Sequence, residues 1–388
     1  MGDAATRAAG RHYGMDWLRI GTFALLILFH VALVFSSFPY EIKSRHTYDW
    51  MSVPVLALNA WRLSLLFAIS GFASAALFAR ERRPGSFLRN RMLRLGVPLL
   101  FAMIVVVPPQ PWVALVTNHN YPDGFWHFLL HDYFSFRTID GIMVPSWMHM
   151  WFVAYLMAYT AVLTALLKLP ESWRAAASRQ AEFLLAGPGL LPLPILYTIA
   201  VRQLPPGWNE WHDFLHDGAT HASYGAMFLF GWLLRGSEPL RAAIARQWRL
   251  AAVLALGGFA IVMAMEFRYP GSDAMPADLL VPFHSARVAQ GWGTIIALFG
   301  IADRYWNRDH RWRPMLVEAV FPFYIIHQTI ILLGGYWLYP LALPAWVEFS
   351  VLTLATAAGC WLFYLVGREI GPLRPLIGLR RKKTARAG

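Results

Sequence analysis

The chain has 388 residues, of which 57% are hydrophobic, 15% are aromatic and only 14% are charged, whereas a soluble domain carries about 25% charged residues. Hydrophobic segments of about twenty residues recur along the chain, so it is predicted to be an all-α, polytopic membrane protein. This composition excludes a soluble enzyme and, in spite of a formal charge of +12, a nucleic-acid-binding protein, and the single Cys360 excludes an internal disulfide framework.

The first hydrophobic segment follows fourteen residues that contain Arg7 and Arg11, and it has no A-x-A cleavage pattern. We therefore predict a retained first helix and not a signal peptide. Ten transmembrane helices are predicted in all, and the third and fifth contain several prolines that are expected to interrupt them. They cover residues 16–38, 53–79, 93–117, 149–167, 182–201, 221–235, 249–267, 286–302, 316–338 and 346–366.

The basic residues are sorted by the side of the membrane on which they fall. With ten spans, most of the 34 lysines and arginines lie on the side that holds both termini. Because basic loops stay in the cytoplasm, both termini are predicted to be cytoplasmic. The predicted organisation is a cytoplasmic N-terminal tail at 1–15, a transmembrane domain at 16–366 and a basic cytoplasmic tail at 367–388.

Two loops on the opposite side, 117–140 and 205–221, are rich in Trp, His, Tyr, Asp and Asn. Such a mixture suits either an aromatic belt at the membrane interface or the binding of a sugar. Each loop also contains an H-x-x-x-H pair, but neither pair has the glutamate of the H-E-x-x-H zinc pattern, and no metal site is predicted. The four histidines are His127, His131, His212 and His216.

Ionisable side chains inside the spans are the main candidates for function, because burying them in hydrocarbon is costly. Each has a structural alternative, since an arginine can reach the interface and a histidine can bond a neighbouring helix. The candidates are Arg19, His30, Arg62, Arg287, Glu318 and His327.

Arg19 and His30 lie on one face of the first predicted helix. Their spacing of eleven residues is within about 20° of three full turns and separates them by about 16 Å along the axis. His327 lies eleven residues after Leu316, so it is predicted at a similar depth in another helix. A neutral imidazole at that depth can take a proton from a hydroxyl group and return it.

Arg91 and Arg94 begin the third predicted span within a run of six arginines and no lysine. A spacing of three places both guanidinium groups on one helical face, where they suit phosphate groups. Anchoring among anionic lipid headgroups is the structural alternative. Together with the histidines, this pattern predicts a cytoplasmic, phosphate-bearing donor below a base in the middle of the membrane.

In this order, these motifs resemble those of the membrane-bound acyltransferase-3 family. Arg19 and His30 match its Arg, ten residues, His motif, and Arg91 and Arg94 match its R-x-x-R motif. The segments LLFAISGF, WMHMWFVAYL and FPFYIIH are similar to three further motifs of the family. The resemblance extends from residue 13 to about 366.

The resemblance implies an acyltransferase that moves an acyl group from cytoplasmic acyl-CoA to a hydroxyl of an extracytoplasmic glycan across a bacterial inner membrane. It implies that His30 is the general base and that Arg19, Arg91 and Arg94 hold the donor. His327 would relay a proton or fix the tautomer of His30. Ser70 and Tyr324 are the candidate donors of a hydrogen bond to the oxyanion. An acyl-enzyme intermediate on Ser70 is an open alternative to direct transfer. The resemblance therefore implies two catalytic residues, His30 and His327. It implies three residues that bind the donor, Arg19, Arg91 and Arg94.

Within the family, the segments RMLRLGVPLL and FPFYIIHQT are most similar to those of the branch associated with succinylation of periplasmic glucans. The alternative function is that of a multi-span transporter or flippase for an anionic or sugar substrate. In that case the buried arginines and histidines would bind the substrate or carry protons.

Overall fold

The structure is a computed structural model and describes residues 12–204, 207–208, 210, 213–270 and 275–381. It is 77% helical, and it confirms the predicted all-α class. The helices are α1 (Tyr13–Phe35), α2 (Ser52–Asn59), α3 (Arg62–Glu81), α4 (Pro84–Phe101), α5 (Pro109–Asn118), α6 (Phe125–His127), α7 (Trp151–Leu166), α8 (Glu171–Leu185), α9 (Pro192–Val201), α10 (Gly218–Gly236), α11 (Glu238–Arg268), α12 (Ala277–Tyr305), α13 (Arg313–Leu338), α14 (Ala345–Glu369) and α15 (Leu373–Leu376).

Short irregular turns and one hairpin complete the described chain. The hairpin pairs strand β1 (Arg137–Ile139) with strand β2 (Ile142–Val144) in antiparallel register. The turns are the 3₁₀ segments Asp49–Met51, Met148–Met150, Pro188–Leu190 and Tyr339–Leu341, and the π-helical segments Ala102–Val106 and Phe128–Asp132.

Among the described residues, six helical segments are long and apolar enough to cross a membrane, and eight if each of two bent pairs counts as one span. A polytopic membrane protein is therefore confirmed, while the predicted number of ten spans and the cytoplasmic position of the termini stay predictions. The six are Tyr13–Phe35, Asp49–Glu81, Met148–Leu166, Glu238–Arg268, Arg313–Leu341 and Ala345–Glu369.

The two bent pairs are the third and fifth predicted spans, in which prolines were expected to interrupt the helix. Pro84–Val106 and Pro109–Asn118 meet at 45°. Glu171–Leu185 and Pro188–Val201 meet at 91°, so this pair is no straight span. Proline removes a backbone donor and clashes with the preceding turn, which explains both breaks.

The remaining two predicted spans, 221–235 and 286–302, correspond to the long helices α10 and α12. Neither is among the segments that are apolar enough to cross on composition alone. Both helices carry polar residues that face a large internal cavity, among them Ser223, Tyr224 and Arg287. A helix that lines a polar cavity inside the protein needs less hydrocarbon-facing surface, which explains the lower hydropathy.

Helix α1 is central to the packing, because it contacts α3, α12, α13 and α14. Helices α11 and α12 pack against each other, as do α13 and α14, and α4 packs on α7. His30 on α1 and His327 on α13 are thereby held by two helices in direct contact.

Helices α3 and α10 approach so closely that only glycine fits at their crossing. A Cβ atom on Gly71 would lie 1.8 Å from the carbonyl oxygen of Phe228, and one on Gly231 would lie 1.8 Å from that of Ala68. Small residues at such crossings let two helix backbones meet in a membrane protein. The glycine of the S-G-F segment therefore has a packing role in this structure.

Replacing Gly71 by alanine is expected to destabilise the protein by about 1–3 kcal/mol, because two backbones must separate to admit the methyl group. The measurement is the thermal unfolding midpoint of detergent-solubilised protein. Gly257→Ala is the control, since a Cβ atom there meets nothing within 4 Å. Equal midpoints for Gly71→Ala and the wild type would contradict this packing role.

The chain after α14 folds back onto the bundle. Helix α15 contacts α4, and Ile377 and Leu379 are buried in the main hydrophobic cluster. Arg374 is buried and donates hydrogen bonds to Glu318 and to two backbone carbonyl groups. Within the predicted basic tail at 367–388, the described part up to residue 381 is thus packed against the helices.

Candidate active site

The structure brings together the two histidines that the sequence placed at one depth. Nδ1 of His30 on α1 lies 3.1 Å from Nε2 of His327 on α13. The ring centroids are 5.1 Å apart, and His327 is fully buried. The eleven-residue spacings therefore led to a real pair, in which His30 is the member that lines a cavity.

The backbone around the pair assigns the protons. Nδ1 of His327 lies 2.7 Å from the carbonyl oxygen of Tyr324, which can only accept, so this nitrogen carries a proton. Nε2 of a neutral His327 is then an acceptor, and His30 donates to it from Nδ1. This arrangement leaves Nε2 of His30 without a proton and able to act as a base.

A third histidine completes the cluster. The ring of His149 lies 5.2 Å from that of His327, centroid to centroid. Its Nε2 is 3.0 Å from the carbonyl oxygen of Tyr324, and its Nδ1 is 3.2 Å from Oε1 of Gln110. Gln110 in turn donates to Thr329 on α13 over 2.7 Å. His149 thus ties the start of α7 to α13 beside the His30–His327 pair.

His149 and Gln110 were not among the candidates taken from the sequence. His149 is the first residue of the fourth predicted span. In the structure a 3₁₀ turn, Met148–Met150, precedes α7 and places the imidazole in the interior. The sequence signal that could have identified His149 is its place in WMHMWF, a segment that resembles a family motif.

A cavity of about 1640 Å³ extends from His30 to the outer loops. Its floor includes His30 and Tyr324, and its mouth includes the β1–β2 hairpin. Polar and aromatic side chains from several helices form the wall. The ionisable and aromatic residues of this wall include Arg62, His149, Arg202, Trp208, Glu210, Asp213, His216, Tyr224, His284 and Arg287.

Arg62 is the cation next to the histidine pair. Its side chain is 7% exposed, and its Cζ atom lies 3.4 Å from the ring centroid of Phe29, the neighbour of His30. Nη1 donates to Asn59 over 2.9 Å, whereas Nε is buried with no hydrogen-bond partner in the part of the chain that the structure describes. This guanidinium can therefore stabilise negative charge beside His30.

An acid–base network lies further towards the mouth. Glu210 accepts hydrogen bonds from Arg202 over 2.7 Å and from Tyr224 over 2.9 Å. Trp208 and His284 stack with their ring centroids 4.3 Å apart. At the mouth, a hydrogen bond with His216 lowers the pKa of the exposed Asp213. These aromatic and polar groups are of the kinds that bind carbohydrates and other polar ligands.

The predicted donor arginines lie together at the other end of α1, which we call the basic end. Arg91 on α4 is an electrostatic neighbour of Arg19 on α1 and of Arg94 on α4. Nε and Nη2 of Arg91 are buried without a hydrogen-bond partner among the described residues. A buried guanidinium with unsatisfied donors is costly, so the cluster is suited to an anion.

The structure does not connect the basic end with the cavity. Of the predicted site residues, His30 lines the cavity, whereas Arg19, Arg91 and Arg94 do not. The cavity ends at Leu26, beyond which Phe23 contacts Tyr324 with ring centroids 5.6 Å apart. A donor bound at the arginines therefore reaches His30 only if these side chains move.

The two candidate oxyanion donors are differently placed. Tyr324 lines the cavity, but its hydroxyl group donates a short hydrogen bond to the carbonyl oxygen of His149. Ser70 does not line the cavity, and its carbonyl oxygen accepts a hydrogen bond from Ser74. The geometry favours Arg62 over either of them as the group that stabilises charge near His30.

The H-x-x-x-H pairs do not form a metal centre in the described chain. The rings of His127 and His131 lie 4.7 Å apart, and His127 lies near two aspartates. His216 bonds Asp213 over 2.7 Å, and His212 lies outside the described residues. Among the described residues, no group of three or more His, Cys, Asp or Glu side chains could hold a metal ion.

Comparison with known protein families matches residues 12–365 to the acyltransferase domain of the acyltransferase-3 family. The chain belongs to the acyltransferase-3 family. It is accordingly an acyl-transferring enzyme built on membrane-spanning helices. The match covers every residue of the histidine cluster and the three arginines of the basic end.

Curated relatives are similar to this member of the family over nearly the whole chain. The glucans biosynthesis protein C of Escherichia coli K12 is 23% identical over 373 residues, which cover 93% of this chain and 90% of that protein. The protein of the same name from Escherichia coli O157:H7 is 22% identical over 374 residues, with the same coverage. No solved structure matches the chain.

Proposed function

We propose that the enzyme transfers an acyl group from acyl-CoA, bound on the cytoplasmic side, to a hydroxyl group of an extracytoplasmic glycan. The observation that carries the proposal is the His30–His327 pair at the floor of a large polar cavity. The pair presents an unprotonated Nε2 to a space wide enough for a sugar chain. A base next to a buried cation is what acyl transfer to a hydroxyl group requires.

The reaction then proceeds with the following proton transfers. Nε2 of His30 takes the proton of the acceptor hydroxyl while its oxygen attacks the thioester carbonyl carbon. Arg62 stabilises the negative charge that develops on the carbonyl oxygen. Nε2 of His327 accepts a hydrogen bond from Nδ1–H of His30 throughout and so stabilises the positive charge of the imidazolium. The C–S bond breaks, and His30 returns the proton to the departing thiolate of CoA.

The donor is proposed to bind at the basic end, where Arg19, Arg91 and Arg94 hold its phosphate groups. Arg19 and His30 are about 16 Å apart along α1. Because CoA carries its thioester at the end of a long flexible arm, the phosphates can stay at the arginines while the thioester reaches His30. Entry of the arm requires displacement of Phe23 and Leu26.

The acceptor is proposed to be a glycan of several sugars, such as a periplasmic glucan, that enters from the opposite end. Two observations support this: the aromatic and polar wall formed by Trp208, Glu210 and Tyr224, and the name of the curated relatives. The proposed location is the inner membrane of a bacterium. Membership of the family favours acyl transfer over the function of a transporter or flippase.

The test of this function is a vesicle assay with purified protein. Acyl-CoA of several chain types is supplied on one side and a glucan fraction on the other, and free CoA and acylated glucan are measured. We expect CoA release only when both substrates are present. Release of CoA with no acylated glucan, or no release with any donor, would contradict the proposal.

Replacing Arg91 by alanine is expected to raise the KM for acyl-CoA about tenfold or more, because a buried, charge-assisted contact with phosphate is lost. The KM for the acceptor is expected to stay unchanged. Initial rates at varied donor and acceptor concentrations measure both. Arg89→Ala is the matched control, since Arg89 is an exposed arginine on the same helix. An unchanged donor KM in Arg91→Ala would remove Arg91 from the donor site.

A further inference from the structure

The segment after α14 places one more arginine at the basic end. Helix α15, which ends four residues before Arg380, contacts α4, the helix that carries Arg94, and Arg380 has a larger electrostatic effect on Arg94 than Glu81 has. Arg380 is exposed and lies eleven residues after Glu369, the last residue of α14. It belongs to none of the motifs on which the family resemblance rests.

The position of Arg380 is fixed by bonds to its neighbours. Its carbonyl oxygen accepts a hydrogen bond from Nε of Arg374 over 2.6 Å. Arg374 also donates to the carbonyl oxygen of Arg368 over 2.7 Å and to Glu318 over 3.1 Å. A single buried side chain thus joins Arg380 to the ends of α13 and α14.

Packing holds the same segment on the side of α4. Ile377 and Leu379, on either side of Gly378, are buried in the main hydrophobic cluster. Gly378 has a φ of +81°, and a Cβ atom there would lie 2.2 Å from the ring of Phe321. This packed turn fixes the course of the backbone that leads into Arg380.

Four guanidinium groups from three separate parts of the chain therefore converge at the basic end. Arg19 comes from α1, Arg91 and Arg94 come from α4, and Arg380 comes from the C-terminal segment. Two donor nitrogens of Arg91 have no partner among the described residues. Like charges repel, and an anion of several charges bound between these groups would relieve that repulsion.

We infer that Arg380 is a fourth arginine of the donor site and binds one of the phosphate groups of the nucleotide end of the donor. The inference rests on the proposed function, and it extends the donor site beyond the residues of the family motifs. A donor with several phosphates needs contacts from more than one direction. Arg380, as a neighbour of Arg94, adds a contact from the C-terminal segment.

The experiment measures CoA binding to the purified protein in nanodiscs by isothermal titration calorimetry. Arg380→Gln is expected to weaken CoA binding about three- to tenfold, and Arg380→Lys to restore most of it, because both donor groups are charged. Arg381→Gln is the matched control, since Arg381 is the exposed arginine next in the chain. It is expected to bind CoA as the wild type does.

Anionic lipid headgroups share the phosphate chemistry, so the second arm counts bound phosphatidylglycerol by native mass spectrometry. Arg380→Gln is expected to leave that number unchanged. Loss of bound lipid with unchanged CoA affinity would overturn the inference in favour of a headgroup site. Unchanged CoA affinity in Arg380→Gln, with a loss in Arg91→Ala, would overturn it while leaving the donor site of the proposed function intact. Absence of CoA binding in the wild type would contradict both.

Discussion

His30→Ala is expected to lower the rate of acyl transfer by about 10³-fold or more, since it removes the imidazole that is proposed to take the proton of the acceptor hydroxyl. The variant is expected to fold, because His30 lines a cavity and the pair is one contact among many between α1 and α13. The measurements are acylated glucan by mass spectrometry in a complemented deletion strain and the amount of folded protein in the membrane.

His131→Ala is the control for the loss of a histidine, since His131 is exposed in an outer loop. It is expected to retain full activity. Normal acylation by a well-expressed His30→Ala protein would show that the base is elsewhere. Loss of activity in His131→Ala would instead indicate that the loop containing His131 contributes to activity.

His327→Leu is expected to reduce kcat about 10²-fold while leaving the KM for acyl-CoA unchanged. Without an acceptor at Nε2 of His327, His30 is no longer held with its proton on Nδ1, and the imidazolium formed during the reaction loses its partner. Of the two paired histidines, only His30 lines the cavity, whereas His327 is fully buried. His327 is therefore expected to act by holding His30 in position.

His327→Gln separates positioning from packing. The glutamine carbonyl group can accept the hydrogen bond from His30, so this variant is expected to recover about a tenth or more of the wild-type kcat. The pH dependence of kcat is the second readout, since a free His30 titrates differently from a paired one. Equal activities for the leucine and glutamine variants would show that the hydrogen bond has no part in catalysis.

Periodicity and spacing in the sequence were enough to predict the all-α class and the similar depth of His30 and His327. Helix α1 was predicted at 16–38 and is observed at Tyr13–Phe35, and the eleven-residue spacing placed Arg19 and His30 on one face. The fifth predicted span was less well described, since the chain bends by 91° within it. Hydropathy registers apolar content along the chain but not the direction of the axis, which a few prolines and glycines decide.

Contacts between distant segments could not be read from the sequence. The position of His149 depends on a 3₁₀ turn that carries it inwards, and the proposed role of Arg62 depends on a guanidinium nitrogen that has no partner among the described residues. Arg380 was assigned to a basic tail, because its position depends on the packing of Leu379 and the bonds of Arg374. Each is a property of tertiary structure, for which one sequence carries no direct signal.

The closed floor of the cavity has a consequence for the cell. The cavity stops at Leu26, and the contact between Phe23 and Tyr324 separates it from the basic end. A continuous polar passage would let ions and protons flow down the membrane potential, which is worth about 2.3 kcal/mol per elementary charge for each 100 mV. A few aromatic and aliphatic side chains thus close the polar interior between the cavity and the basic end, so that the two proposed substrates could meet without an open path for ions.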